Sequence, residues 1–244
     1  MPVYLLDDTL TFPVPSLARK DGLLAVGGDL SAARLMLAYS AGIFPWYTES
    51  EPILWWSPDP RLILTPEAFH MPRRLRRECR RCGWRVSLDR AFHEVITACA
   101  GVRDATGEGT WITGDMMTAY SRLHGLGHAH SVEVWDEGAL IGGLYGVSIG
   151  RGFFGESMFS LRTSASKIAL AALVRFVSRH GFHFIDCQVV TGHLLQFGAT
   201  AVPREVFLKD LHRASREPGL IGRWNGEMDA AELGGENPNS GIEG

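Results

Sequence analysis

The runs Ser131-Val-Glu-Val-Trp135, Leu140-Ile-Gly-Gly-Leu-Tyr-Gly-Val-Ser-Ile149 and Phe153-Phe-Gly-Glu-Ser-Met-Phe159, with the segments that join and follow them, decide the fold. β-Branched and aromatic residues dominate all three, and the connections Asp136-Glu-Gly-Ala139 and Gly150-Arg-Gly152 carry the glycine that tight turns need. Three consecutive strands are expected. From about Thr163 to His180, Ile168, Leu170, Leu173, Val174 and Val177 recur at helical spacing, with Ser164 placed to cap the start and Gly181 to end it. Phe182-His-Phe-Ile-Asp-Cys-Gln-Val-Val190 then reads as a buried strand with an acid, Asp186, and an amide, Gln188, in its middle.

This strand–strand–strand–helix–strand order resembles the core of the GNAT acyltransferases, where a glycine-rich loop before the helix holds the pyrophosphate of coenzyme A. The corresponding loop here, Ser160-Leu-Arg-Thr-Ser-Ala-Ser166, has no glycine. Close approach of backbone N–H groups to an anion depends on glycine. The resemblance thus implies an acyltransferase scaffold whose acyl group arrives on another carrier.

The 244 residues allow one large or two small domains, and the net charge of −3 gives no global reason to bind nucleic acid. The charge is nevertheless uneven. Pro72-Arg-Arg-Leu-Arg-Arg-Glu-Cys-Arg-Arg-Cys82 reads as a helix ended by Gly83, and its six arginines are a quarter of the 24 basic side chains. Like charges three and four residues apart repel, so this density either costs helix stability on a solvated face or meets an anion, for which the planar guanidinium suits phosphate. Four cysteines suit a reducing compartment. Cys79-x-x-Cys82 lacks a partner pair at ligand spacing, and His124, His128 and His130 lack a carboxylate at such spacing, so no metal is expected. Neither a signal-peptide pattern nor a membrane-length apolar run occurs, which points to a cytoplasmic chain without membrane contact.

Residues 1–60 differ in texture, being rich in proline, glycine and tryptophan. They hold one helix, capped by Ser31 and closed by Gly42. Gly42-Ile-Phe-Pro-Trp46 and Ile53-Leu-Trp-Trp-Ser-Pro-Asp-Pro-Arg61 supply aromatic surface, either as a small core or as a stacking wall for a base. A strand over Leu62 to Leu64, helices from Asp89 to Ala100 and from Asp115 to about Leu126, a short strand to Val202 and a helix from Arg204 to Ser215 complete the pattern. From Glu217 the chain is acidic and glycine-rich and reads as disordered.

Six runs in fixed order carry a second resemblance: Asp21-Gly-Leu-Leu-Ala-Val-Gly-Gly-Asp-Leu30, Gly42-Ile-Phe-Pro-Trp46, Leu54-Trp-Trp-Ser-Pro-Asp-Pro-Arg61, Glu108-Gly-Thr-Trp-Ile-Thr113, Gly155-Glu-Ser-Met-Phe-Ser160 and Ile185-Asp-Cys-Gln188. Across residues 4 to 215 the chain closely resembles the bacterial leucyl/phenylalanyl-tRNA–protein transferases. The resemblance implies an enzyme of the N-degron pathway that moves Leu or Phe from Leu-tRNA or Phe-tRNA to the α-amino group of a protein beginning with Arg or Lys, without cofactor or metal. The fold it implies is α+β. A small N-terminal α/β domain spans 1–60, a GNAT-like domain of mixed β-sheet with flanking helices spans 61–216, and the tail covers 217–244; a monomer is expected. By resemblance, Arg73, Arg77, Arg80 and Arg81 match the family's tRNA-binding helix. Trp46 and Trp111 match positions packed against the terminal adenosine and the aminoacyl group. Phe153, Met158, Leu170, Ile185 and Val189 line the pocket for the Leu or Phe side chain, with Leu144 where the family carries Met. A coenzyme A-dependent N-acetyltransferase is the competing class, and a non-catalytic RNA-binding module a third.

The implied reaction is aminolysis of an activated ester. An α-amino group titrates near pH 8, so positioning can carry much of the catalysis. Asp186 and Gln188, at i and i+2 on one strand face, are the catalytic candidates. Either Asp186 accepts the amine proton, or it only fixes Gln188 while a tRNA ribose hydroxyl relays the proton. Glu156 is expected to hold an ammonium in the same cleft. Alternation turns Cys187 to the opposite face, which excludes a thioester.

Overall fold

The computed structural model describes residues 3–104 and 110–235. In chain order these form β1 (Tyr4–Leu6), β2 (Leu23–Gly27), α1 (Ala32–Ser40), β3 (Phe44–Pro45), β4 (Leu54–Trp56), β5 (Arg61–Leu64), α2 (Arg73–Cys79), β6 (Arg85–Leu88), α3 (Phe92–Asp104), α4 (Gly114–Gly125) and β7 (Ala129–Asp136). They continue through β8 (Ala139–Ile149), β9 (Gly152–Ser160), α5 (Ala165–Arg179), β10 (Phe184–Gln188), α6 (Gly192–Leu195), β11 (Thr200–Val202), α7 (Arg204–Ser215), β12 (Glu227–Asp229) and α8 (Ala230–Gly235). Glu108 and Gly109 of the expected tryptophan loop lie outside the described residues.

The architecture is mixed α+β. One sheet has the order β1-β2-β4-β3 and a second the order β11-β5-β10-β9-β8-β7-β6-β12. The expected three strands are β7, β8 and β9, paired antiparallel, and β10 returns parallel to β9 after α5. Gly150 sits at φ +55 in the β8–β9 turn, where an added Cβ would lie 2.2 Å from the Ala214 carbonyl, so glycine is required there.

Each face of the large sheet has its own core. Helix α5 covers one with Ile168, Leu173, Val174 and Val177 against Leu64, Val134, Leu144 and Ile185. The opposite core joins α3, α4 and α7, through Val95, Met116, Tyr120 and Phe207, to Leu24, Leu35, Tyr39 and Trp55 of the first 60 residues. At α1 the sequence cues hold: Ser31 accepts from the Arg34 N–H, and Gly42 follows at φ +73. At α5 the start differs. Ser164 occupies the left-handed region at φ 71 and its side chain makes no capping bond, while Gly181 (φ +68) follows the helix as expected. Thr113, not Asp115, caps α4. Asp89 is buried and bonds to His130 rather than capping α3.

The disordered tail is corrected for residues 217–235. Strand β12 pairs with β6, and α8 packs on α2. The anchor is Trp224, 3% exposed. Its ring stacks on His130 at 3.8 Å and packs on Phe176 at 4.6 Å, and its backbone N–H donates to Asp89 Oδ2 at 2.7 Å. One buried tryptophan supplies the apolar area that the average composition of this segment hides. Trp224→Ala is expected to cost about 3–5 kcal/mol, read as a lower urea midpoint; a change below about 1 kcal/mol would show that the segment is not anchored there.

Candidate active site

Strands β9 and β10 pair at Phe184–Gly152, Ile185–Phe153 and Asp186–Phe154, and the pairing ends there. At the same level both strands slip register against their other neighbours. On β9 the slip lies opposite Tyr145 and Gly146, which face Ser157 and Gly155 and leave Glu156 as the extra residue. On β10 it lies between Asp186 and Gln188, leaving Cys187 extra and placing Gln188 at φ 61. Such bulges re-aim side chains and bend the strand. A cavity of about 410 Å³ opens where the strands part.

Its walls include every pocket and catalytic residue singled out from the sequence except Phe153: Trp46, Trp111, Leu144, Glu156, Met158, Leu170, Ile185, Asp186, Gln188 and Val189 all line it. Phe153 is fully buried in the α5-side core, with its ring 5.7 Å from Trp224. Cys187 also lines the cavity, from the α5-side core that holds Ile185, the face opposite the Arg61 and Glu156 partners of Asp186 and Gln188, as alternation leads one to expect. Burial pushes its thiol well above the usual range, with Asp186 adding to the rise, which makes it a poor nucleophile. The two readings of the tryptophans divide between residues. Trp55 is core, its Nε1 donating to Gly27, whereas Trp46 is 41% exposed at the cavity wall and tilted against Trp56 at 5.8 Å.

Asp186 and Arg61 are both fully buried. Arg61 Nε donates to Oδ1 at 2.9 Å and Nη2 to Oδ2 at 2.6 Å, and the Gln188 N–H donates to Oδ1 at 2.8 Å. Both carboxylate oxygens are thus occupied, by a bidentate guanidinium and a backbone N–H. Glu156 is different. It is 7% exposed and accepts from Tyr39 Oη at 2.7 Å, Tyr120 Oη at 3.2 Å and Gln188 Nε2 at 2.8 Å. Burial raises its pKa from the ordinary 4.5 to about 7; the hydrogen bonds oppose the rise and the nearby Asp186 charge adds to it. The Tyr39 and Tyr120 hydroxyls also meet each other; with one proton each, the phenols satisfy this contact and both bonds to Glu156 only when Glu156 itself carries a proton. Burial followed by the Glu156 charge holds both phenols well above their usual range. They are neutral donors to Glu156.

Three residues missed from the sequence complete the site: Arg61, Tyr39 and Tyr120. A tyrosine on the apolar face of a helix needs a partner for its hydroxyl, a signal available for Tyr39. Arg61 lay within a quoted run and carried no assigned role. The arginine helix is shorter than expected, with Pro72 outside its first residue, and Arg73, Arg77, Arg80 and Arg81 are exposed. Arg80 Nη1 donates to the Gly234 carbonyl at 3.2 Å, which ties it to α8.

A carboxyl that is easier to protonate in the folded than the unfolded chain adds stability below its unfolded value, and that stability is lost as pH rises through the folded value. For Glu156 the window runs from about 4.5 to about 7. Relative to Glu156→Gln, the wild-type chain is expected to lose on the order of 3 kcal/mol between pH 4.5 and 8, measured by urea denaturation. A constant difference across that range would rule out a raised Glu156.

The family model for the leucyl/phenylalanyl-tRNA protein transferase matches residues 63–212, and that for its N-terminal domain matches residues 28–59. A curated relative from Desulfatibacillum aliphaticivorans, named leucyl/phenylalanyl-tRNA–protein transferase, is 59% identical over 94% of this chain and 98% of its own. Relatives of the same name from Solidesulfovibrio magneticus and Syntrophotalea carbinolica are 56% and 57% identical, covering 92% and 91% of this chain and 91% and 96% of theirs. Among solved structures, a GCN5-related N-acetyltransferase from Sphaerobacter thermophilus is a distant likeness, at 14% identity and TM-score 0.33 over 77% of this chain and 60% of that one. With two family models in sequence order and more than half of its residues identical to full-length relatives, the chain belongs to the leucyl/phenylalanyl-tRNA–protein transferase family.

Proposed function

We propose that this chain transfers Leu or Phe from aminoacyl-tRNA to the α-amino group of proteins beginning with Arg or Lys. The observation that carries this reading is the cavity. Its apolar walls, Leu144, Met158, Leu170, Leu173 and Ile185, suit a Leu or Phe side chain, and its polar end holds Glu156 and Gln188. In this reading Trp46 and Trp111 pack against the terminal adenosine and the aminoacyl group, and Val189 closes the mouth. The large sheet with α5 serves as a GNAT-like scaffold, and residues 1–60 form a distinct unit against it.

The acceptor amine attacks the ester carbonyl, a C–N bond forms, the C–O bond to the ribose breaks, and one proton passes from the amine to the departing oxygen. Glu156, with a pKa of about 7, can take that proton near neutrality. Gln188, anchored to Glu156 through Nε2, presents its side-chain oxygen to the incoming N–H. Asp186 fixes Gln188 rather than acting as the base, the second of the two roles left open by the sequence.

The deciding assay mixes the purified chain with Leu-tRNA and an Arg-initiated peptide without coenzyme A. Leucylated peptide is the expected product; acyl transfer only from an acyl-coenzyme A would overturn the reading. In single turnover, Glu156→Gln is expected to slow transfer by about 10²–10⁴ and to abolish the rate change near pH 7. If Asp186→Asn does so instead and Glu156→Gln does not, Asp186 is the base.

In the same reading the acceptor stem lies on α2. Replacing Arg73, Arg77 and Arg81 with Ala is expected to weaken tRNA binding and to flatten the log–log salt slope by roughly one unit per lost phosphate contact. An unchanged slope would make this helix a solvated face only.

A further inference from the structure

Arg61 joins two walls of the cavity that no strand pairing among the described residues connects directly. Its Nε and Nη2 grip Asp186, and Nη1 donates to the Gly42 carbonyl at 3.1 Å. The guanidinium lies over Phe44 at 4.9 Å and Phe207 at 4.6 Å, between two aromatic rings. All three guanidinium nitrogens are therefore committed, in a group with no exposure to solvent.

Both partners lead to the reacting centre. Gly42 begins the run that continues through Phe44, Pro45 and Trp46, all three of which line the cavity. Its φ of +73 and the Leu208 and Phe207 side chains, 2.7 and 3.0 Å from where a Cβ would be, leave its carbonyl little freedom. Asp186 Oδ1 accepts from the Gln188 N–H where β10 slips register, so the turn that aims Gln188 is held by a carboxylate that Arg61 orients.

We propose that Arg61 is a positioning residue for the transfer reaction, holding the Phe44–Trp46 wall and Gln188 in one fixed relation. The proposal rests on the transferase reading above. Lysine cannot replace it, because a single ammonium cannot grip two carboxylate oxygens as a fork while reaching the Gly42 carbonyl. A buried ion pair is also weak evidence of a stability role, since apolar replacement of both partners is often neutral or stabilising. That difference separates positioning from simple support.

The test is the double variant Arg61→Met with Asp186→Leu, assayed beside the wild-type chain with Leu-tRNA and an Arg-initiated peptide. The expected result is a melting temperature close to wild type and a kcat/KM at least 100-fold lower, with a higher KM for Leu-tRNA as well as a lower kcat. A folded double variant within threefold of wild-type activity would overturn the proposal. Should it fail to fold, Arg61→Lys decides: a near-native melting temperature with the same joint loss supports positioning, and activity within threefold of wild type overturns it. A wild-type chain inactive with Leu-tRNA overturns the transferase reading as well, whereas an active wild type with an equally active folded double variant overturns the positioning roles of Arg61 and Asp186 and leaves that reading standing.

Discussion

Parallel pairing between β9 and β10 ends at Phe154 and Asp186, and the site depends on what happens beyond that point. A bulge in one strand alone would re-aim a side chain; bulges at the same level of two adjacent strands let them part. The cavity threads the gap and draws its lining from both faces of the sheet. Leu144, Leu170, Leu173 and Ile185 belong to the core beneath α5, while Phe44 and Tyr145 belong to the opposite core. An apolar recess and a polar end therefore lie side by side without either being cut into a continuous hydrophobic layer.

Opening the sheet interior brings carboxylates into low dielectric, and the fold treats them differently. Asp186 meets the Arg61 guanidinium in a buried ion pair. Glu133, fully buried, accepts from the Ser87 and Ser131 hydroxyls and from the Arg90 and Ala91 N–H groups, yet burial still raises its pKa. Glu156 has only neutral donors, two phenols and an amide, and its pKa rises to about 7. Neutral donors solvate a carboxylate without trapping its charge, so protonation stays accessible near pH 7.

What was legible in the sequence was local. The three strands, the α5 span, the Ser31 cap and the helix over Arg204–Ser215 follow from periodicity, turn glycine and capping, which act over a few residues. Most of the pocket residues were legible through ordered motifs. The misreadings arise where contacts span longer distances. Alternation along β10 holds for Cys187, which packs on the α5-side core, but the bulge that places Gln188 at φ 61 depends on what the neighbouring strand does. Phe153, at the end of the regular β9–β10 pairing, turns into the core. The segment containing Trp224 looked structureless because its polar and glycine content was averaged, whereas its order depends on a ring stacked on His130, 94 residues away in the chain by the numbering of the two. Arg61 escaped notice because an arginine beside prolines has no local signature of burial.

An ester-linked aminoacyl group is already activated, and much of the remaining barrier to aminolysis lies in bringing amine and carbonyl into line. That places the premium on rigidity. Arg61 and Asp186, with no exposed surface, cannot exchange partners with water, and the two aromatic rings over Arg61 oppose its displacement. The same reasoning accounts for Gln188 in the left-handed region, a conformation rarely adopted by a non-glycine residue and sustained here by its N–H bond to Asp186 and its side-chain bond to Glu156. Backbone and side chain of Gln188 are thus anchored to two carboxylates of different character. One is gripped by Arg61, and the other, Glu156, is left able to titrate. Fixing the first gives the second a constant geometry in which to exchange its proton.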